Sequence, residues 1–236
     1  MPEGKIPSLA ISIPAYNEGE TIEGLVLGSL AVLESRAADF EVVIIDDGSR
    51  DQTGPILDRL AREHPRVRVL RHETNQGFGA TLREVFYQPA KDAIFFIPGD
   101  AQIPPEEIDR LLPALERADL VIGWRARRMD GWIRGCLSGA YNLLISALLL
   151  RRVHDVDSVV LVRRRALEAI RLQADSAFLH AELVLEAQRR GFRWVEVPIG
   201  HRERIRGSTT VFRARVLLPA LRDLLRHLLA RWTIRV

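Results

Sequence analysis

The chain has a single cysteine, Cys136, among 236 residues. No internal disulfide can form, which excludes a disulfide-stapled secreted scaffold. No apolar run reaches the roughly 18–20 residues that a membrane-spanning helix needs. The opening Met-Pro-Glu-Gly-Lys has no long apolar stretch behind a basic start. A signal peptide is therefore not expected, and the expected compartment is the cytoplasm. Lysine is almost absent: of 34 basic residues, only Lys5 and Lys91 are lysines. There is no Glu-Asp dipeptide, no internal repeat, no low-complexity tract and no nucleic-acid-binding module.

What is present is an ordinary soluble composition, 47% hydrophobic and 28% charged. The length suits one large domain, or a domain with an appendage, able to build its own core. The net charge of +3 conceals a balance of −8 over residues 1–118 and +11 over 119–236. A basic, arginine-rich second half favours an anionic partner: phosphates, nucleic acid or an anionic membrane surface. Arginine grips phosphate with two bonds, although genomic base composition accounts equally well for the bias.

The first half alternates strand and helix patterns. Strands are predicted at 9–13, 41–46, 67–70, 93–97 and 119–123, and helices at 19–34, 51–62, 77–88 and 104–117. Continuous apolar strands separated by helices imply a mostly parallel sheet covered on both faces. Ligands of such sheets sit beyond the carboxyl ends of the strands. Tyr16-Asn17-Glu18, Asp46-Asp47 and Asp100-Ala101-Gln102 all fall there. The second half is less regular, with helices expected at 131–150 and 178–190 and strands at 158–162 and 193–199. Its tail carries leucines at helical spacing with arginines around them.

Pro14-Ala15-Tyr16-Asn17-Glu18, Val43–Ser49, Asn75–Ala80 and Pro98–Gln102 resemble the opening motifs of family 2 inverting glycosyltransferases. Gly123–Asp130, Arg134, Tyr141-Asn142, Asp155–Ser158 and His201–Arg204 with Gly207-Ser208 are similar to the dolichyl- and polyprenyl-phosphate mannosyl- or glucosyltransferase branch. The resemblance covers about residues 7–210, nearly the whole chain. It implies a GT-A, Rossmann-like α/β domain over 1–210; beyond it, the arginine-bordered leucines of 211–236 read as an amphipathic helix suited to a membrane interface.

The resemblance also assigns roles. Pro14, Ala15, Tyr16, Asn17, Glu18, Asp46, Asp47 and Gly79 would bind the nucleotide-sugar, a GDP- or UDP-hexose. A turn with a helix cap explains Asp46–Ser49 as well, and a plain turn explains the Asn75–Gly79 glycines. Asp100 and Gln102 would hold Mg²⁺ or Mn²⁺ against the donor diphosphate. The family usually places an Asp where this chain has Pro98. Arg125, Arg128, Arg134 and Arg204, with Ser208, would meet the donor and acceptor phosphates, since two anionic groups approach only with cations between them. Asp155 would orient arginines or touch the sugar; a structural salt bridge fits it too. Family members that glycosylate hydroxyls usually carry an Asp base in a Glu-Asp pair, and an anionic lipid phosphate needs none. The missing pair points to a polyprenyl-phosphate acceptor. Val159-Val160-Leu161 replace the Gly-Phe and basic residue that usually follow Asp155–Ser158. The competing readings are a hydroxyl-acceptor enzyme and a non-catalytic nucleotide-sugar-binding module. The tail helix would meet a membrane surface, a membrane-protein partner, a second copy of the chain, or its own core.

Overall fold

The computed structural model describes residues 6–126, 132–202 and 214–232, with side chains placed for 7–126, 138–202 and 219–229. The strands are β1 (Ile6–Ala15), β2 (Ala37–Asp46), β3 (Val67–Arg71), β4 (Ala93–Phe96), β5 (Leu120–Arg125), β6 (Val159–Arg163) and β7 (Trp194–Ile199). The helices are α1 (Ile22–Arg36), α2 (Thr53–Glu63), α3 (Phe78–Tyr87), α4 (Ile108–Leu115), α5 (Trp132–Leu149), α6 (Arg164–Ala169), α7 (Leu179–Arg189) and α8 (Ala214–Trp232). The strands form one sheet in the order β3-β2-β1-β4-β6-β5-β7.

Alternation along each strand divides the interior. Ile11, Phe95 and Leu161 face a core shared with α1, α2 and α4. Ile94, Phe96, Val160 and Val162 face the opposite core, with α3, α5, α7 and Leu224 of α8. A sheet apolar on both faces must be covered on both, which explains the continuous apolar runs in the sequence. The expected mostly parallel sheet is therefore present.

Three features depart from the sequence reading. β2 begins at Ala37, where it pairs with Ile6, four residues before Glu41. The short helix α6 was not foreseen. The strand expected at 158–162 is β6, but it runs antiparallel to both β4 and β5. Reversal matters for the site: the segment 153–158 enters the sheet at the edge where β1, β2, β4 and β5 end.

Helix α8 seats Leu224, 4% exposed, in the core, while Leu221, Leu225 and Leu229 are 52%, 51% and 67% exposed. Among the described residues no helix is long and apolar enough to cross a membrane.

Candidate active site

The carboxyl rim of the sheet is assembled by hydrogen bonds between loops distant in sequence. β1 ends at Ala15, paired with Asp46. The turn that follows puts Asn17 at φ 56°, a left-handed conformation that asparagine tolerates. The Asn17 amide donates to Ser49 Oγ at 3.0 Å, and its side-chain oxygen accepts from the Arg50 amide at 2.8 Å. The Glu18 amide donates to Thr53 Oγ1 at 2.8 Å, and the Gly19 amide to Asp51 at 3.1 Å. Burial opposes ionisation of Asp51, but the hydroxyl and amide of Thr53 and the amide of Gly19 together hold its pKa below the usual value. Tyr16 stands 42% exposed on this turn.

The loop after β4 joins the same rim. A Cβ on Gly99 would lie 2.5 Å from the Pro14 carbonyl oxygen, so glycine is what lets the two backbones meet. Thr21 Oγ1 donates to the Gly99 carbonyl at 3.2 Å. Asp100, half-buried, accepts the Gln102 amide at 3.2 Å. The Gln102 carbonyl accepts from the Arg202 amide at 2.9 Å, and Gln102 Nε2 reaches the Arg202 carbonyl at 3.5 Å. The Gly200 amide donates to Glu107 at 2.9 Å. These bonds seat residues 200–202 directly beside the Asp100 loop.

A divalent ion shared with a diphosphate needs hard oxygen ligands. Asp100 offers a carboxylate, Gln102 an amide oxygen and Pro98 nothing. Among the described residues no three His, Cys, Asp or Glu side chains come together to hold an ion. The donor set fits an ion ligated mainly by phosphate and water, and does not fit an all-protein cage.

On the opposite side of the rim, Arg125 and Asp155 form a bidentate pair. Arg125 Nε donates to Oδ2 at 2.7 Å and a terminal nitrogen to Oδ1 at 3.0 Å. The side chains are 15% and 2% exposed. Of the three roles open to Asp155, this pairing fits both an arginine-orienting residue and a structural salt bridge. Beneath the pair lies His180, fully buried, its ring 4.9 Å from that of Phe96. Burial lowers the His180 pKa to about 4, so the ring is neutral.

Three residues expected at the nucleotide also make scaffold contacts. Asp46 has no exposed surface; it accepts the Ser49 amide at 3.0 Å and Arg71 Nε at 2.8 Å. Asp47, 4% exposed, accepts the amides of Gln76 at 2.7 Å and Gly77 at 3.0 Å. Gly79 packs against protein: a Cβ there would fall inside the backbone of Asp175 and Ser176. Gly79→Ala is accordingly expected to destabilise the fold by about 1–3 kcal/mol, the usual range for overpacking, read by urea denaturation. Glu182 is likewise committed, accepting the amides of Gln173 and Ala174 at 2.9–3.0 Å. Arg128, Arg204 and Ser208, and the side chain of Arg134, lie outside the described residues.

Two participants escaped the sequence reading. Arg71 joins Asp46 to Asp58 and to the Gly54 carbonyl. His72 lies between Asp47 and Glu84. Neither has a spacing signal, because their partners lie 12–25 residues away.

Residues 10–170 match the profile of Glycosyl transferase family 2. The undecaprenyl-phosphate 4-deoxy-4-formamido-L-arabinose transferase of Edwardsiella ictaluri (strain 93-146) is 30% identical over 212 residues, 86% of this chain and 63% of that protein. Glycosyltransferase AglD of Haloferax volcanii is 30% identical over 202 residues, 81% of this chain and 32% of that protein. The chain thus spans less than two thirds of the length of these relatives. Among solved structures, glucosyl-3-phosphoglycerate synthase from Mycobacterium tuberculosis, in complex with Mn²⁺, uridine-diphosphate and phosphoglyceric acid, superposes with a TM-score of 0.73 at 20% identity. That match covers 95% of this chain and 78% of the other. With the profile covering most of the chain and the rim built as described, this protein belongs to the family 2 glycosyltransferases and has the GT-A fold.

Proposed function

We propose that this chain transfers a hexose, mannose or glucose, from a GDP- or UDP-sugar to a polyprenyl phosphate. An acceptor phosphate oxygen attacks the anomeric carbon, the bond to the nucleoside diphosphate breaks, and the configuration inverts. The Pro14–Glu18 turn holds the nucleoside. Asp100 and Gln102 would hold Mg²⁺ or Mn²⁺, which when bound would offset charge on the departing diphosphate. Arg125, with Arg128, Arg134, Arg204 and Ser208, meets the phosphates.

The observation that carries the choice of acceptor is the Arg125–Asp155 pair. The acid of the acceptor-side motif is 2% exposed and held by two guanidinium bonds. Both of its oxygens already accept guanidinium hydrogen bonds, unlike a base presented to a substrate hydroxyl. A hydroxyl nucleophile needs a base, whereas a phosphate monoester is already anionic. The naming of the Edwardsiella relative as an undecaprenyl-phosphate transferase supports the same choice. Exposed Leu221, Leu225 and Leu229, beside exposed Arg222 and Arg226, give α8 a surface suited to an anionic bilayer that would carry such an acceptor.

The test supplies labelled GDP- and UDP-hexoses with Mn²⁺ or Mg²⁺, and a short polyprenyl phosphate or the matching polyprenol, each in anionic vesicles. Labelled lipid is expected from the phosphate alone. Transfer to the polyprenol or to soluble hydroxyl acceptors overturns the assignment. Pro98, which supplies no metal ligand, favours binding without transfer as the second reading. Saturable donor binding with no product from any acceptor is its signature.

A further inference from the structure

The His72 side chain is 8% exposed, with a carboxylate on each side. Nδ1 lies 2.7 Å from Asp47 Oδ1, and Nε2 lies 3.1 Å from Glu84 Oε1. An ionised carboxylate only accepts hydrogen bonds, so both contacts are made only when both ring nitrogens carry protons. The neutral ring keeps one bond and turns a lone pair toward the other acid.

The oxygen of Asp47 that meets His72 also receives the Gln76 amide, and its second oxygen receives the Gly77 amide. Those amides lead into α3 through Gly77, at φ 94°. The same loop lies against the rim turn: a Cβ on Gly48 would come within 2.8–2.9 Å of the Thr74–Asn75 backbone. That turn in turn receives the Asn17 amide through Ser49. A connected path therefore runs from the imidazole to the nucleoside-facing turn.

We propose that His72, doubly protonated between Asp47 and Glu84, is a positioning residue that locks the 74–77 loop against the donor rim. The inference rests on the reading of that rim as the donor site. The charged groups around the ring are Asp47 from the turn after β2 and Glu84 from α3. Its β3 neighbour Arg71 is turned to Asp46 and Asp58. Burial lowers the His72 pKa, the bonds to the two acids raise it, and the net is above 6.5. A group whose folded pKa is raised gives its full stabilisation below the unfolded value and loses it as pH climbs through the folded one. The lock is fully engaged below the ordinary histidine pKa and loosens as pH climbs past the raised one.

The test is amide exchange over residues 72–79, with donor kinetics, on wild type, His72→Gln and Glu84→Gln. At about pH 6, Gln76 and Gly77 should exchange about tenfold faster in His72→Gln, the loss of one charge-assisted hydrogen bond. Corrected for intrinsic rates, wild type should approach that variant as pH rises through the folded pKa, and Glu84→Gln should lie between the two. The donor KM of His72→Gln should rise about fivefold, with kcat within about twofold. Equal protection in wild type and His72→Gln overturns the lock. A loosened loop with an unchanged KM overturns its positioning role. If wild type transfers sugar from no donor, the proposed function fails, and the exchange data still decide the lock.

Discussion

On the proposed function, Asp100→Asn should lower sugar transfer by about 10²–10³-fold, the cost of losing the ligand that would position a divalent ion against transition-state charge. The carboxylate is the only one in the 98–102 loop, and the departing diphosphate gains negative charge as the glycosidic bond breaks. Asparagine preserves the oxygen that receives the Gln102 amide, the contact recorded at 3.2 Å. The loop should therefore keep its shape, and thermal unfolding should be unchanged. The loss should appear in kcat, and added Mn²⁺ should restore little of it. Retention of more than about a tenth of wild-type activity would show that the transition state does without this charge.

The second large effect is on stability. Arg125→Ala leaves Asp155, 2% exposed, without its bidentate partner. Removing one member of a buried pair costs about 3–5 kcal/mol, because the remaining charge stays desolvated. For a domain of this size that corresponds to a fall in Tm of about 6–20 °C. The double variant Arg125→Met with Asp155→Leu should recover much of the loss, since two apolar groups need no counter-charge. It should also be inactive, separating the pair's contribution to the fold from its contribution to phosphate binding. Calorimetry of the three proteins beside the transfer assay reads both. A single variant as stable as wild type would mean that water reaches Asp155.

Much of the architecture was legible because the fold is written in local patterns. Apolar runs such as Val42–Ile45 and Ile94–Ile97 can only be doubly covered strands, and the polar clusters after them mark the carboxyl rim. Strand direction was not legible. Val159–Val162 reads as a buried strand in either sense, and pairing with both β4 and β5 decides it. β2 could not be traced back to Ala37, because Ala-Ala-Asp-Phe carries no alternation and its pairing with Ile6 is a tertiary contact. At the site, Asp100 and the 14–18 turn were visible from position. Asp47 and Gly79 were visible as motif members but not as scaffold. Their partners, His72 and the Asp175–Ser176 backbone, come from other parts of the chain. Arg125 and Asp155 were each suspected, but nothing in a linear sequence states that two residues thirty apart neutralise one another.

The reversed direction of β6 divides the rim by construction. The 14–18, 46–53 and 98–102 loops each leave a strand, so their starting points are fixed by the register of β1, β2 and β4. The 153–158 segment instead arrives from α5, whose 18 residues run about 27 Å. Its shape is set by what precedes it, and a change there leaves the β1-β2-β4 ladder untouched. One edge of the crevice is thus a fixed wall and the other an exchangeable insert. On the proposed function, such a division puts the activated donor against the fixed wall and the recipient against the insert.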